Sequence, residues 1–219
     1  MTDPGALRAG VVAEAIRRHR LVVVLRRIEP RERLLALVDE LAEAGARIFE
    51  ITFDAPDAAA DLAAVRSHLD TRADGCLVGA GTVLTADALD AARATGADFG
   101  VAPILDPGLV DAAISAGLPF VPGAFTPTEI AAAWDTGATF VKLFPASGLE
   151  PGFVRELSAP LPGIELIPTG GLDAERAAAF LAVGAVAVGI GGELVRADAQ
   201  TRRQIVAALA ASPLGSIGR

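Results

Sequence analysis

The sequence predicts an α/β chain of the (β/α)8 TIM-barrel class with an extra N-terminal helix. Short apolar, β-branched runs alternate with helix-like stretches from one end to the other, at a spacing that suits βα units with short loops rather than an all-β meander. The first such run, ending in VVVLRRIEP, carries no glycine and so lacks the G-x-G-x-x-G turn of an open dinucleotide-binding sheet. Paired glycines stand late instead, at Gly170-Gly171 and Gly191-Gly192, where barrels commonly build an anion site from their last two loops.

The elements follow in order. Residues 1–20 place Leu7, Val11, Val12, Ala15 and Ile16 on one side and several arginines on the other, the pattern of an amphipathic helix rather than of a signal peptide. Eight strands are predicted: Leu21–Arg26, Ile48–Thr52, Leu77–Gly79, Phe99–Ala102, Phe120–Val121, Thr139–Phe144, Glu165–Pro168 and Val186–Ile190. Between them, Pro30, Pro56, Pro107, Pro127 and Pro151 fall where helices should start, and Gly45, Gly96, Gly117, Gly137 and Gly184 where they should stop. No linker or charge block divides the chain, so residues 1–219 read as one domain, with 213–219 as a loose tail.

Composition narrows the chemistry. The chain has one cysteine, two histidines, one tryptophan and no tyrosine, and carries a net charge of −8. That excludes an internal disulfide, a Cys- or His-based metal cage and an aromatic stacking platform, and disfavours nucleic acid as a partner. No apolar stretch approaches the roughly 18 residues of a membrane span, and the reading is a cytoplasmic protein. Of the 19 basic residues all but Lys142 are arginine. Arginine serves wherever a fixed cation suffices, so position 142 points to a need for an amine that can lose its proton.

Lys142 lies in TFVKLFP, and strand alternation puts it on one face with Phe140 and Phe144. Burying an ammonium there is costly unless it is paired or deprotonated, and the neutral amine is the form that attacks a carbonyl. The competing reading is an internal cross-link to an acid. Glu50, in RIFEIT, faces inward by the same alternation and suits either role, proton shuttle or ion-pair partner. In VGAGTVLT, glycines allow close backbone approach, and Thr82 can bond a carboxylate oxygen. PTGG and GIGG offer the unhindered N–H groups of Gly170, Gly171, Gly191 and Gly192 at expected helix starts.

Five ordered motifs, EIT (50–52), GAGTV (79–83), PGAFTPTE (122–129), KLFPAS (142–147) and PTGG (168–171), make the chain resemble the 2-keto-3-deoxy-6-phosphogluconate/4-hydroxy-2-oxoglutarate aldolases. The resemblance implies a class I lyase, commonly trimeric, that uses no metal or cofactor and acts on a small keto acid. It puts Lys142 at the Schiff-base lysine, Glu50 at the general acid/base, and Thr82 at the threonine that binds the pyruvyl carboxylate. Pro103 and Phe144 fall at positions lining the site, and Thr169 at one that influences stereochemistry. Two positions depart from the pattern. Asp54 stands where many members have a carboxylate-gripping arginine, leaving Arg26 to supply the cation; Gly192 stands where many have a phosphate-binding serine. The same chemistry on 4-hydroxy-2-oxoglutarate or an unphosphorylated acid, or a phosphate-binding barrel enzyme without an imine, are the alternatives.

Overall fold

A computed structural model describes residues 4–72 and 75–212; the expected tail at 213–219 lies outside them. The N-terminal helix forms as α1 (Pro4–His19) and runs directly into β1 (Leu21–Leu25). Strands β2 (Ile48–Thr52), β3 (Leu77–Gly81), β4 (Gly100–Val101), β5 (Phe120–Val121), β6 (Gly123–Ala124), β7 (Val141–Leu143), β8 (Leu166–Pro168) and β9 (Val188–Ile190) follow. Helices α2 (Arg31–Glu43), α3 (Ala58–Asp70), α4 (Ala86–Ala94), α5 (Pro107–Ser115) and α6 (Pro127–Asp135) separate the earlier strands. The later part carries α7 (Gly152–Ser158), α8 (Ala174–Ala182), α9 (Gly192–Arg196) and α10 (Ala199–Ala210).

The strands pair in parallel and form a curled sheet in two hydrogen-bonded sets, β5-β4-β3-β2-β1-β9 and β6-β7-β8. The break falls where one fifth strand was expected. Pro122 has no N–H to give a ladder, so the run divides into β5 and β6, although the Pro122 carbonyl still accepts from Lys142 N–H at 2.9 Å. On the other side, a parallel bridge between Thr169 and Gly189 and a 3.1 Å bond from Val186 N–H to the Leu166 carbonyl connect the second set to β9.

The third strand runs two residues beyond the predicted Gly79. Glycine is a poor strand former in general, but here neighbouring side chains occupy the space a Cβ would need. Phe99 fills it at Gly79, and at Gly81 the Glu50 carboxyl carbon lies 2.6 Å from where that atom would sit. Several other strands are shorter than predicted, although residues just outside them, such as Ala102, Thr139 and Phe144, still donate backbone bonds to the neighbouring segment.

The predicted punctuation is present. Pro107 and Pro127 stand in the first turns of α5 and α6 behind the capping side chains of Asp106 and Thr126, and Thr126 and Glu129 form a reciprocal capping box. Gly45 and Gly184, at helix ends, have φ of 107° and 109°, where a side chain would be strained. One face of each main helix packs on the outside of the sheet, as with Leu34, Leu37, Val38 and Leu41 of α2. Inside the curl, Val12, Ala13 and Ile16 of α1 pack against Val22, Ile48, Phe99, Val121, Phe140 and Ala187, residues at or near strand starts. Helix α1 thereby plugs the end at which the strands begin and leaves the other end for polar groups.

Candidate active site

Two inward-facing strand residues come together as alternation predicted. Lys142 on β7 and Glu50 on β2 have side chains only 5% and 2% exposed, with Nζ 3.5 Å from Glu50 Oε1. That separation is an ion-pair contact but too long for a good hydrogen bond, and Oε1 makes no other hydrogen bond. The acid therefore keeps acceptor capacity while held beside the amine. The Phe144 ring centroid lies 5.4 Å from Nζ, placing the amine over an aromatic face.

Thr169 joins this pair: with Glu50, Lys142 and apolar side chains including Ile16, Val101 and Ile167, it lines an internal cavity of about 10 Å³. Its hydroxyl donates to the Ile167 carbonyl at 3.2 Å. Pro103, beyond β4, presses its backbone against Gly123, the residue paired across from Lys142. Phe144 likewise packs on Gly170, where a Cβ would meet the ring at 2.8 Å.

A second group sits at the rim. Thr82 follows β3 directly, one residue past the glycine that accommodates the Glu50 carboxylate, and adopts a left-handed φ of 57°. Arg26, just beyond β1, donates to Thr82 Oγ1 at 3.2 Å and to Asp54 Oδ2 at 2.5 Å. Arg27 adds an ion pair to the same oxygen at 3.2 Å and a bond to the Asp54 carbonyl at 2.9 Å. Burial alone would raise the Asp54 pKa, but the Thr52 hydroxyl and the two guanidinium groups outweigh it and hold the carboxyl below its usual range. Asp54 is thus paired with both arginines available to it.

The four glycines divide. Gly191-Gly192 lead into α9 as expected, and Gly191 packs so closely on β1 that a Cβ would meet the Val24 carbonyl at 2.7 Å. Gly170-Gly171 do not open a helix: α8 starts at Ala174, capped by Asp173, so the pair forms a loop with φ of 96° and 68°. The Asp173 side chain, a better cap than glycine, moves the helix start downstream.

Sequence reasoning missed Gly81 as the seat of Glu50, and Arg196. Arg196, one turn into α9, folds back so that its Nη1 lies 2.8 Å from where a Gly192 Cβ would be. The four-residue spacing in GELVR was the available signal. Among the described residues, no group of His, Cys, Asp or Glu side chains is arranged to hold a metal ion, and no helix is long and apolar enough to cross a membrane.

Comparison with known proteins places the chain in a family. The family model for KDPG and KHG aldolases matches residues 12–209. A probable 2-dehydro-3-deoxy-6-phosphogalactonate aldolase of Rhizobium meliloti is 33% identical over 195 residues, 87% of this chain and 90% of the relative. A 2-dehydro-3-deoxy-phosphogluconate aldolase of Treponema pallidum is 36% identical over 174 residues, 78% of this chain and 80% of the relative. Among solved structures, a 4-hydroxy-2-oxoglutarate/2-dehydro-3-deoxyphosphogluconate aldolase superposes with a TM-score of 0.78 at 30% identity, covering 96% of this chain and 98% of the other. The chain belongs to the KDPG and KHG aldolase family and is an aldolase, a carbon–carbon lyase.

Proposed function

We propose that the protein cleaves a 2-keto-3-deoxy-6-phospho sugar acid, 2-keto-3-deoxy-6-phosphogluconate in the first instance, to pyruvate and glyceraldehyde 3-phosphate through a Schiff base on Lys142. The observation that carries the reading is a buried lysine beside a buried glutamate with unspent hydrogen-bonding capacity. The neutral Lys142 amine adds to the C2 ketone. Glu50 delivers the proton with which the carbinolamine oxygen leaves as water, giving an iminium. The C4 hydroxyl then gives its proton to Glu50, directly or through water, as the C3–C4 bond breaks. The bonding electrons flow into the iminium, and the aldehyde departs. Protonation of the enamine at C3 and hydrolysis return pyruvate and the free amine, so the water lost at the start is regained.

The other residues divide by position. Thr82 and Arg26 hold the carboxylate, Pro103 and Phe144 line the pocket, and Thr169 faces the C4 region. The amides around Gly170, Gly171, Gly191 and Gly192 take the phosphate, with the nearby Arg196 guanidinium supplying the side-chain donors that Gly192 lacks. The chemistry uses no metal and no cofactor. In this reading residues 1–219 form one domain, the two strand sets close as an eight-stranded (β/α)8 barrel, and the enzyme works in the cytoplasm as a homotrimer. Exposed Leu84, Ile104 and Phe125, which follow β3, β4 and β6, give such an assembly an apolar surface to cover.

The test is borohydride reduction in the presence of pyruvate followed by peptide mass analysis. A single adduct on Lys142, lost together with turnover in Lys142→Arg, is the expected result. Full cleavage activity in Lys142→Arg would end the reading. Gly192 favours one variant of it, the same reaction on 4-hydroxy-2-oxoglutarate or an unphosphorylated acid. Equal kcat/KM for phosphorylated and dephosphorylated substrate would select that variant.

A further inference from the structure

Asp54 looks misplaced beside a site for an anionic keto acid. Its surroundings give it a different job. The contacts form one continuous chain: Lys142 beside Glu50, Glu50 seated on Gly81, Thr82 next in sequence, Arg26 on the Thr82 hydroxyl, and Asp54 gripping Arg26 and Arg27 together. Two cations and one anion leave this cluster with a net positive charge, so Asp54 does not make the rim repel carboxylates.

Hydrogen-bond direction adds the specific point. A guanidinium can only donate, so Thr82 Oγ1 must accept from Arg26, and its own hydrogen is directed elsewhere. Without an anchor, an arginine half exposed to solvent would sample many rotamers. The Asp54 carboxylate removes that freedom. The same carboxylate restrains two residues in left-handed conformations, Arg27 at φ 49° through a direct ion pair and Thr82 at φ 57° through Arg26. Such conformations persist only where surrounding contacts over-determine them.

We propose that Asp54 is a positioning residue for keto-acid recognition: it holds Arg26 on the Thr82 hydroxyl, so that the Thr82 O–H is aimed to donate to the substrate carboxylate. The inference rests on the reading of Thr82 and Lys142 given above and extends it to a residue that touches no substrate.

The experiment is a double-mutant cycle on the full-length protein. Asp54→Ala, Arg26→Ala and the pair are compared for KM and kcat on the 2-keto-3-deoxy acid. Non-covalent binding of pyruvate is followed by ligand-observed NMR in a Lys142→Ala background. Asp54→Ala is expected to raise KM and weaken pyruvate binding roughly tenfold, the scale of a lost charge-assisted hydrogen bond, while kcat changes less than about threefold. In the Arg26→Ala background the same substitution should change binding less than about twofold, because the group it positions is gone. Asp54→Asn, which keeps the shape and removes the charge, carries the measurement if the alanine variant does not fold. An unchanged KM in the Asp54 variants, or an equal loss with and without Arg26, would overturn the proposal. Absence of a wild-type borohydride adduct, with Asp54-dependent pyruvate binding retained in Lys142→Ala, would instead reject the imine and leave the positioning role standing.

Discussion

The two ends of the curled sheet are built on opposite principles. At the end where strands begin, α1 buries Val12, Ala13 and Ile16 among strand-start side chains, and several charged groups there are matched, although Arg20, at φ 59°, keeps a buried Nε without a hydrogen bond. Arg17 bonds Glu165 at 2.8 Å and lies over the Phe140 ring, while Asp98 accepts from Val78 N–H at 2.8 Å and pairs with Arg66. At the end where strands finish, Glu50 Oε1 is buried without a hydrogen bond, Thr82 and Arg27 hold left-handed backbone, and glycines leave room for neighbouring side chains. One end spends its contacts on cohesion. The other keeps unmatched groups in fixed positions, which costs stability and leaves them available for chemistry.

If that division holds, substitutions at the two ends should separate activity from stability. The largest effect belongs to Glu50→Gln at the polar end: turnover should fall by about 10²–10⁴-fold, the usual worth of a positioned acid–base group, with the melting temperature nearly unchanged. Steady-state kinetics beside thermal melting checks this, and a fall in stability matching the fall in rate would blur the distinction. Ile16→Ala at the plugged end should do the reverse. Truncating this 1% exposed side chain is expected to cost about 2–5 kcal/mol by denaturant unfolding, while the borohydride adduct formed per folded molecule stays the same. Because Ile16 also lines the cavity beneath Lys142, a changed adduct yield would show that the floor of the site contributes to the chemistry.

The smallest effect sharpens the comparison through pH. Asp54 has its folded-state proton affinity lowered, so its contribution to stability is fully present above the ordinary carboxylate range and is lost as pH falls through the lowered folded value. The stability deficit of Asp54→Asn should therefore be greatest near neutrality and shrink on acidification. Chemical denaturation of variant and wild type at several pH values measures it; a deficit independent of pH would mean that the charge of Asp54 contributes nothing to the fold.

Legibility followed the range of the interactions involved. Lys142 stood out as the sole lysine in an alternating apolar run, and Glu50 shared an inward face by the same rule, so both were readable from local pattern. The helix at Gly170-Gly171 was misplaced because two capping signals competed over a few residues, and the Asp173 side chain won. Strand β3 was cut short at Gly79 because what fills the space beside its glycines is supplied by Phe99 and Glu50, one twenty residues downstream and the other on the preceding strand. Arg26, Asp54 and Thr82 come from three separate strand ends, and no spacing rule predicts that one guanidinium would bridge the other two.

What could be read along the chain was therefore the order of βα units, the helix caps and stops, the inward amine and its acid, and the family motifs. These depend on periodicity and on neighbours a few residues apart. Folding in three dimensions decided the split of the fifth strand around Pro122, the 3.5 Å approach of Lys142 to Glu50 and the neutralisation of Asp54 by two arginines. Each is set by how the curl brings distant strand ends together, and electrostatic contacts fall off over a few ångströms, a scale that residue order does not encode.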